Sequence, residues 1–399
     1  MRLTISKSTA KGIIEAPPSK SLAHRYIICA GLSEGESVVS NISLSEDIRA
    51  TIDCIRALGR EVTVEGDKVT VHAGKIAYGD RIVFPCRESG STMRFFMGIA
   101  MALDTEAVFE GSETLRNRPM SVYEDIAAKE GISFVKEASC IRLKGCLSAG
   151  EYAVKGNISS QFITGLLYGL SLIDGKSLIK IEPPIESRSY IELTLQALRT
   201  FGVKASWLDD DSLEIEGGAS YKACDVRVEG DFSNAAFLDA FNVLGGDVRV
   251  EGLNDDSSQG DKVYREIYKG YEAGVVSADI SDCPDLGPVL FALAAASKGG
   301  SFTGTKRLKI KESDRGTVMC EELSKFGVDT YMEDNLIIIG GGKLKRPAVA
   351  LDGHNDHRIV MSLVLLLTLT GGEIEGAEAV RKSYPDFFED IKKLGIEVI

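Results

Sequence analysis

The feature that most limits what this chain can fold into is a phrase repeated six times: an amphipathic helical stretch, a glycine, then an apolar strand-like stretch. It occurs at Leu58-Gly59, Glu130-Gly131, Phe201-Gly202, Ala273-Gly274, Phe326-Gly327 and Leu394-Gly395. Successive glycines stand 72, 71, 72, 53 and 68 residues apart. Glycine just past a helix is the expected left-handed cap, and the β-branched residues that follow suit a strand.

A second series keeps step with the first. Apolar helices opened by a polar cluster begin near Ser21, Ser91, Ser160, Ser233, Asp285 and His357, each 38 to 42 residues before its own glycine. Segments 207–216 and 331–340 read as pairs of short strands around an acidic turn. Together these series predict six βαββαβ-like modules of about 70 residues, the fourth shortened after Gly274. One helix of each module is apolar all round, as in 162–172 and 286–296, and belongs in an interior. The other is amphipathic, as in 45–58 and 312–326. Six modules in 399 residues divide into an α/β protein of two domains with three modules each. The expected domains are 1–17 plus 231–399, and 18–230, with Ala16-Pro17-Pro18 as a strand exit or hinge.

The formal charge of −13 argues against nucleic acid or an anionic membrane as partner. The longest apolar run, 359–369, falls short of the roughly 18 residues that a spanning helix needs. The opening Met-Arg-Leu-Thr-Ile-Ser-Lys has no signal-peptide core, and the eight cysteines include no Cys-x-x-Cys pair. A cytoplasmic protein with reduced thiols and no zinc site is therefore expected.

Within this acidic chain the bases gather at helix openings: Lys20, Arg25, Arg94, Arg118, Arg188, Lys311, Arg315, Arg358 and Lys382. Free backbone N–H groups and the helix dipole favour anions there, and arginine matches carboxylate and phosphate. Small ligands with several anionic groups follow, although solvated helix faces with ordinary charge pairs would give the same count. Lys20-Ser21 with Arg25 lacks the glycine frame of a nucleotide-binding loop. At Glu88-Ser89-Gly90-Ser91-Thr92 a ligand has close access to the Gly90 backbone. Ser159-Ser160-Gln161 is a hydroxyl-rich cap. Lys311-Glu312-Ser313-Asp314-Arg315 is either a carboxylate held between cations beside a proton-shuttling lysine, or a capping box with charge pairs. His354-Asn355-Asp356-His357-Arg358 has no further ligand at metal spacing and reads as a capped helix whose Arg358 grips an anion.

In order along the whole chain, these segments resemble the 5-enolpyruvylshikimate-3-phosphate (EPSP) synthase family. Arg116-Asn117-Arg118-Pro119, Ser187…Tyr190, Pro284-Asp285 and Lys382…Pro385-Asp386 extend the match. Lys-Glu-Ser-Asp-Arg followed by Asn-Asp-His-Arg is its most specific part. The resemblance implies a two-domain inside-out α/β barrel and transfer of the enolpyruvyl group of phosphoenolpyruvate to the 5-hydroxyl of shikimate 3-phosphate, releasing phosphate. It implies a monomer whose domains close over the substrates, and no metal or organic cofactor.

By motif match, Lys20, Ser21, Arg25, Ser159, Ser160, Gln161, Ser187, Asp285 and Lys311 would bind shikimate 3-phosphate. Lys20, Gly90, Arg118, Gln161, Arg315, Arg358 and Lys382 would bind phosphoenolpyruvate. Asp285, assisted by Lys311, would take the hydroxyl proton, Glu312 would protonate the methylene carbon, and Lys20 would join them in catalysis. Four positions depart from the family: Glu88, Ser91 and Phe95 around Gly90, and Arg307. Gly90 itself has the form associated with glyphosate sensitivity. Two further readings are a transferase acting on UDP-N-acetylglucosamine, which shares the six-module fold, and a non-catalytic anion-binding relative.

Overall fold

The computed structural model describes residues 1–399, which divide into two compact units: Met1–Pro17 with Gly230–Ile399, and Pro18–Glu229. The unit Pro18–Glu229 contains three four-stranded sheets. Its middle module shows the pattern. Strand Arg81–Pro85 leads through helix Gly90–Ala100 to the parallel strand Glu106–Glu110, in register Val83↔Val108. Helix Ser121–Glu130 then leads to the hairpin of Ser133–Lys136 and Cys140–Lys144, whose second strand pairs antiparallel with Glu106–Glu110.

The elements thus run βαβαββ, in place of the expected βαββαβ order. Parallel neighbours need a helix as crossover, whereas the two short strands after the amphipathic helix are close enough to fold on each other as a hairpin. Residues 151–216 repeat this order. The first module borrows its opening strand from the far end of the unit, where Val226–Arg227 pairs parallel with Ser37–Ser40.

The other unit departs from the pattern twice. Lys11–Glu15 pairs parallel with Asp247–Glu251, and that sheet stops at two strands. No hairpin follows helix Tyr264–Ala273; from Gly274 the chain enters Val276–Asp279, which opens the next four-stranded sheet. Here the shortened spacing of the sequence has its structural cause. In the last module Leu3–Ile5, from the N-terminus, pairs antiparallel with Gly372–Glu375. Five of the six repeat glycines sit at φ 71° to 87°, while Gly274 sits at 159°.

The six apolar helices lie in the interiors of their units. In Pro18–Glu229 they are Lys20–Leu32, Gly90–Ala100 and Ser160–Leu172. The last two meet backbone to backbone: a Cβ on Gly98 would lie 2.0 Å from the Gly165 carbonyl oxygen. In the other unit they are Phe232–Val243, Gly287–Ala296 and His357–Thr370, the last buried along nearly its whole length. No helix is long and apolar enough to cross a membrane.

Candidate active site

Helix openings organise the polar residues. Ser19, Ser89, Ser159, Asp231 and Asp356 each accept a backbone N–H at the start of an apolar helix. The helix expected over 312–326 begins later, at Arg315, because Asp314 takes the cap position and bonds the Thr317 N–H at 3.2 Å. Lys311, Glu312 and Ser313 therefore stay outside the helix, where their side chains can reach other segments.

In the unit that holds them, three acids and three bases converge. Asp285 Oδ1 accepts from Lys311 Nζ at 3.1 Å and from Arg315 Nη1 at 2.9 Å, and its Oδ2 accepts from Arg358 Nη2 at 2.9 Å. Arg315 also donates to Glu312 Oε2 at 2.6 Å and, through Nε, to Asp356 Oδ2 at 2.8 Å. Asp356 accepts from the Ser313 hydroxyl at 3.1 Å and caps Arg358 N at 2.9 Å. Arg358 also donates from Nη1 to the Asp285 carbonyl at 3.2 Å and from Nη2 to Ser233, whose hydroxyl donates to Asp231. Lys382 lies at the end of a short 3-10 segment and donates to the Asn355 carbonyl at 2.8 Å.

Burial pulls the Asp285 carboxyl upward, yet Arg358, Lys311 and Arg315 outweigh it and hold the group well below the usual carboxylate range. Lys311 is shifted down, chiefly by burial, with Asp285 working against that shift. Arg315 is shifted up: burial opposes this, and Asp356, Glu312 and Asp285 overcome it. A fixed carboxylate beside a lysine of lowered basicity is suited to moving a proton.

In Pro18–Glu229, Lys20 Nζ pairs with Asp47 Oδ2 at 2.9 Å, both largely buried. Gly90 opens its helix beneath Arg118: a Cβ there would stand 2.6 Å from Arg118 Nη1. The Nε of Arg118 is buried without a hydrogen-bond partner, a donor for which an anion is the natural acceptor. Gln161 is fixed in orientation, its Oε1 accepting from Arg94 Nη1 at 2.6 Å and its Nε2 donating to Ser91 at 2.8 Å.

Arg25 is buried and donates to the Ser21 carbonyl, the Thr194 hydroxyl and the Tyr190 carbonyl, so most of its fork braces neighbouring segments. Ser159 spends its oxygen on the cap, and Ser160 is buried beside it. Ser187 is buried with left-handed backbone angles (φ 57°). His354 and Asn355 are also left-handed, and such strain in non-glycine residues gathers at functional sites. Of the four positions that depart from the family, Ser91 serves Gln161 and Phe95 packs under the Arg25 cation at 5.3 Å. Arg307 is buried near the Ser281 carbonyl. Arg87, next to Glu88, pairs with Glu46 and Asp53.

Sequence reading gave no role to Asp47, counted Arg94 only among the cations at helix openings, and placed Asp356 only in a helix cap. Asp47 sits in the first turn of helix Glu46–Ala57, where an acid is ordinary. Asp356 carries a signal, since its place before an apolar helix marks a cap, but its bond to Arg315 does not show in the sequence.

A family model described as EPSP synthase (3-phosphoshikimate 1-carboxyvinyltransferase) matches residues 5–391. A 3-phosphoshikimate 1-carboxyvinyltransferase of Clostridium perfringens is 41% identical over 99% of this chain and 98% of its own length. One from Clostridium kluyveri is 39% identical over the same shares. Among solved structures, an EPSP synthase from Acinetobacter baumannii superposes with a TM-score of 0.78 at 24% identity, covering 100% of this chain and 99% of that one. The enolpyruvyl transferase NikO of Streptomyces tendae shares the fold, with a TM-score of 0.74 at 13% identity over 100% and 98%.

Proposed function

This chain belongs to the EPSP synthase family, and from that premise we propose how its residues divide the work of the reaction. The reaction is transfer of the enolpyruvyl group of phosphoenolpyruvate to shikimate 3-phosphate, in aromatic biosynthesis. The observation that carries the assignment is the Asp285 carboxylate held by Lys311, Arg315 and Arg358, with Glu312 on the same Arg315.

A carboxylate with three cations on it is a poor base. Arg315 and Arg358 bind the carboxylate of phosphoenolpyruvate in this reading, and each contact they transfer to substrate returns basicity to Asp285. Asp285 then takes the proton of the 5-hydroxyl, with Lys311 beside it to carry the proton on. Glu312 protonates the methylene carbon of phosphoenolpyruvate and recovers a proton as the tetrahedral adduct loses phosphate. Holding Glu312 against Arg315 fixes the direction of that transfer.

Within Pro18–Glu229, Lys20, Gly90 and Arg118 take phosphate oxygens of phosphoenolpyruvate, and Lys382 of the other unit does the same. Ser21, Arg25, Ser159, Ser160 and Ser187 bind shikimate 3-phosphate, and Lys20 and Gln161 contact both substrates. Asp285 and Lys311 complete the shikimate 3-phosphate contacts. The cysteine spacing supports work in the cytoplasm, and a site completed within one chain supports a monomer.

The test is phosphate release from phosphoenolpyruvate, with and without shikimate 3-phosphate, in wild type and Glu312→Ala. The expected result is release that requires shikimate 3-phosphate and falls by about 10²-fold or more in the variant. Undiminished release in Glu312→Ala removes that residue from the mechanism, and release that requires UDP-N-acetylglucosamine overturns the substrate assignment.

A further inference from the structure

Glu322 lies outside every segment so far given a task, yet its buried carboxylate is among the most heavily engaged in its unit. Oε1 accepts from Lys325 Nζ at 2.6 Å and faces His354 Nε2 at 3.0 Å; Oε2 accepts from the backbone N–H of Asp352 at 3.1 Å. Two of these contacts, from Asp352 and His354, reach the turn that precedes helix His357–Thr370, while Lys325 is an i,i+3 partner on Glu322's own helix. Within the turn, His354 N donates to Asp352 Oδ1 at 2.7 Å and Asp356 N donates to the Gly353 carbonyl at 2.9 Å.

That turn is strained, with His354 and Asn355 at φ 46° and 53° in succession, a conformation L residues adopt only when the surroundings impose it. Its product is the placement of two groups. Asp356 emerges from it to hold Arg315 and to cap Arg358, and the Asn355 carbonyl receives Lys382. Glu322 follows Arg315 by seven residues, two turns along helix Arg315–Lys325 and on the same face. The helix therefore grips the turn at two points, with Arg315 on Asp356 at one end and Glu322 on Asp352 and His354 at the other.

We propose that Glu322 is a positioning residue for phosphoenolpyruvate recognition, holding the 352–356 turn in the form that aims Asp356 and the Asn355 carbonyl at Arg315, Arg358 and Lys382. The proposal rests on the reading above that those three cations take phosphoenolpyruvate. A buried carboxylate used only for packing would cost more than an apolar side chain of similar volume, so its two contacts to the turn point to orientation as its purpose. Asp356 holds Arg315 directly but reaches Asp285 and Lys311, the shikimate 3-phosphate contacts of this unit, only through Arg315, so the larger effect falls on phosphoenolpyruvate.

The experiment is steady-state kinetics with each substrate varied, on the full-length enzyme, for Glu322→Gln, His354→Ala, His354→Gln and Arg358→Lys. Glu322→Gln and His354→Ala are expected to raise KM for phosphoenolpyruvate about 10-fold, with KM for shikimate 3-phosphate unchanged within about 2-fold. His354→Gln, whose amide can donate to Glu322, is expected to restore the wild-type value. The half-exposed His354 keeps the test open if the Glu322 variant folds poorly. Equal rises in both KM values, or a fall in unfolding midpoint with both KM values unchanged, overturn the proposal. An unchanged KM for phosphoenolpyruvate in Arg358→Lys overturns the underlying reading, and the proposal with it. A raised value there beside unchanged Glu322→Gln and His354→Ala overturns the proposal only.

Discussion

Arg315 Nε and Asp356 Oδ2 lie 2.8 Å apart although 41 residues separate them, and the two side chains expose 1% and 0% of their surface. Two segments with no local relationship in sequence are joined there by a pair that solvent does not screen. Removing one member of such a pair strands the other. Asp356→Ala leaves Arg315 with Asp285 and Glu312 only, and takes the cap from helix His357–Thr370. We expect a loss of about 3–5 kcal/mol in urea unfolding, and a smaller loss for Asp356→Asn, which keeps a cap acceptor.

Asp285 sets a pH dependence. Its folded pKa lies well below the usual carboxylate range, because Arg358, Lys311 and Arg315 outweigh the upward pull of burial. A carboxyl depressed on folding contributes stability that is whole above its unfolded pKa of about 3.9 and is lost as pH falls through the folded value. The difference in unfolding free energy between wild type and Asp285→Asn should therefore stay constant from pH 7 to about pH 5 and shrink only below about pH 4. A difference that shrinks already near pH 6 would mean that the three cations do not hold this carboxylate in solution.

Gly90 is where a single methyl separates folding from function. The added Cβ of Gly90→Ala would meet Arg118 Nη1 at 2.6 Å and Arg94 Nη1 at 3.8 Å, both at the ends of long side chains. The guanidinium can move aside, so thermal unfolding should change little. Arg118 then loses its place, and KM for phosphoenolpyruvate should rise about 10-fold or more while KM for shikimate 3-phosphate holds. An unmoved KM for phosphoenolpyruvate would separate Arg118 from that substrate.

Gly98 is the opposite case. Its Cβ would fall 2.0 Å from the Gly165 carbonyl oxygen, and backbone cannot swing away as a side chain can. Gly98→Ala should cost about 3 kcal/mol or more and lower soluble yield, with the substrate KM values of any folded fraction near wild type. A variant as stable as wild type would show that the two helices are not in backbone contact.

These pairs also show how much could be read in advance. The interior helices were visible because a stretch such as Leu286 to Ala296 offers no polar face to water, and the repeat glycines because a left-handed cap admits few other residues. The candidate residues were visible because helix openings concentrate cations in an acidic chain. What each cation touches was not visible. Lys20 meets Asp47 across 27 residues, and Arg25 spends donors on Tyr190 and Thr194, partners that only the packed unit brings near.

The amino-acid sequence by itself determined the six-module plan, the choice of buried and amphipathic helices, and the family's motifs in order, since periodicity, capping and motif spacing are local properties. Tertiary structure decided which strands complete which sheets. The N-terminal Leu3–Ile5 and Lys11–Glu15 join sheets whose other strands lie more than 200 residues away, and Val226–Arg227 closes the first module. It also decided which acid holds which base around Asp285. Strand pairing and ion pairing depend on distance in space, and a periodic pattern leaves that distance unspecified until the helices have packed.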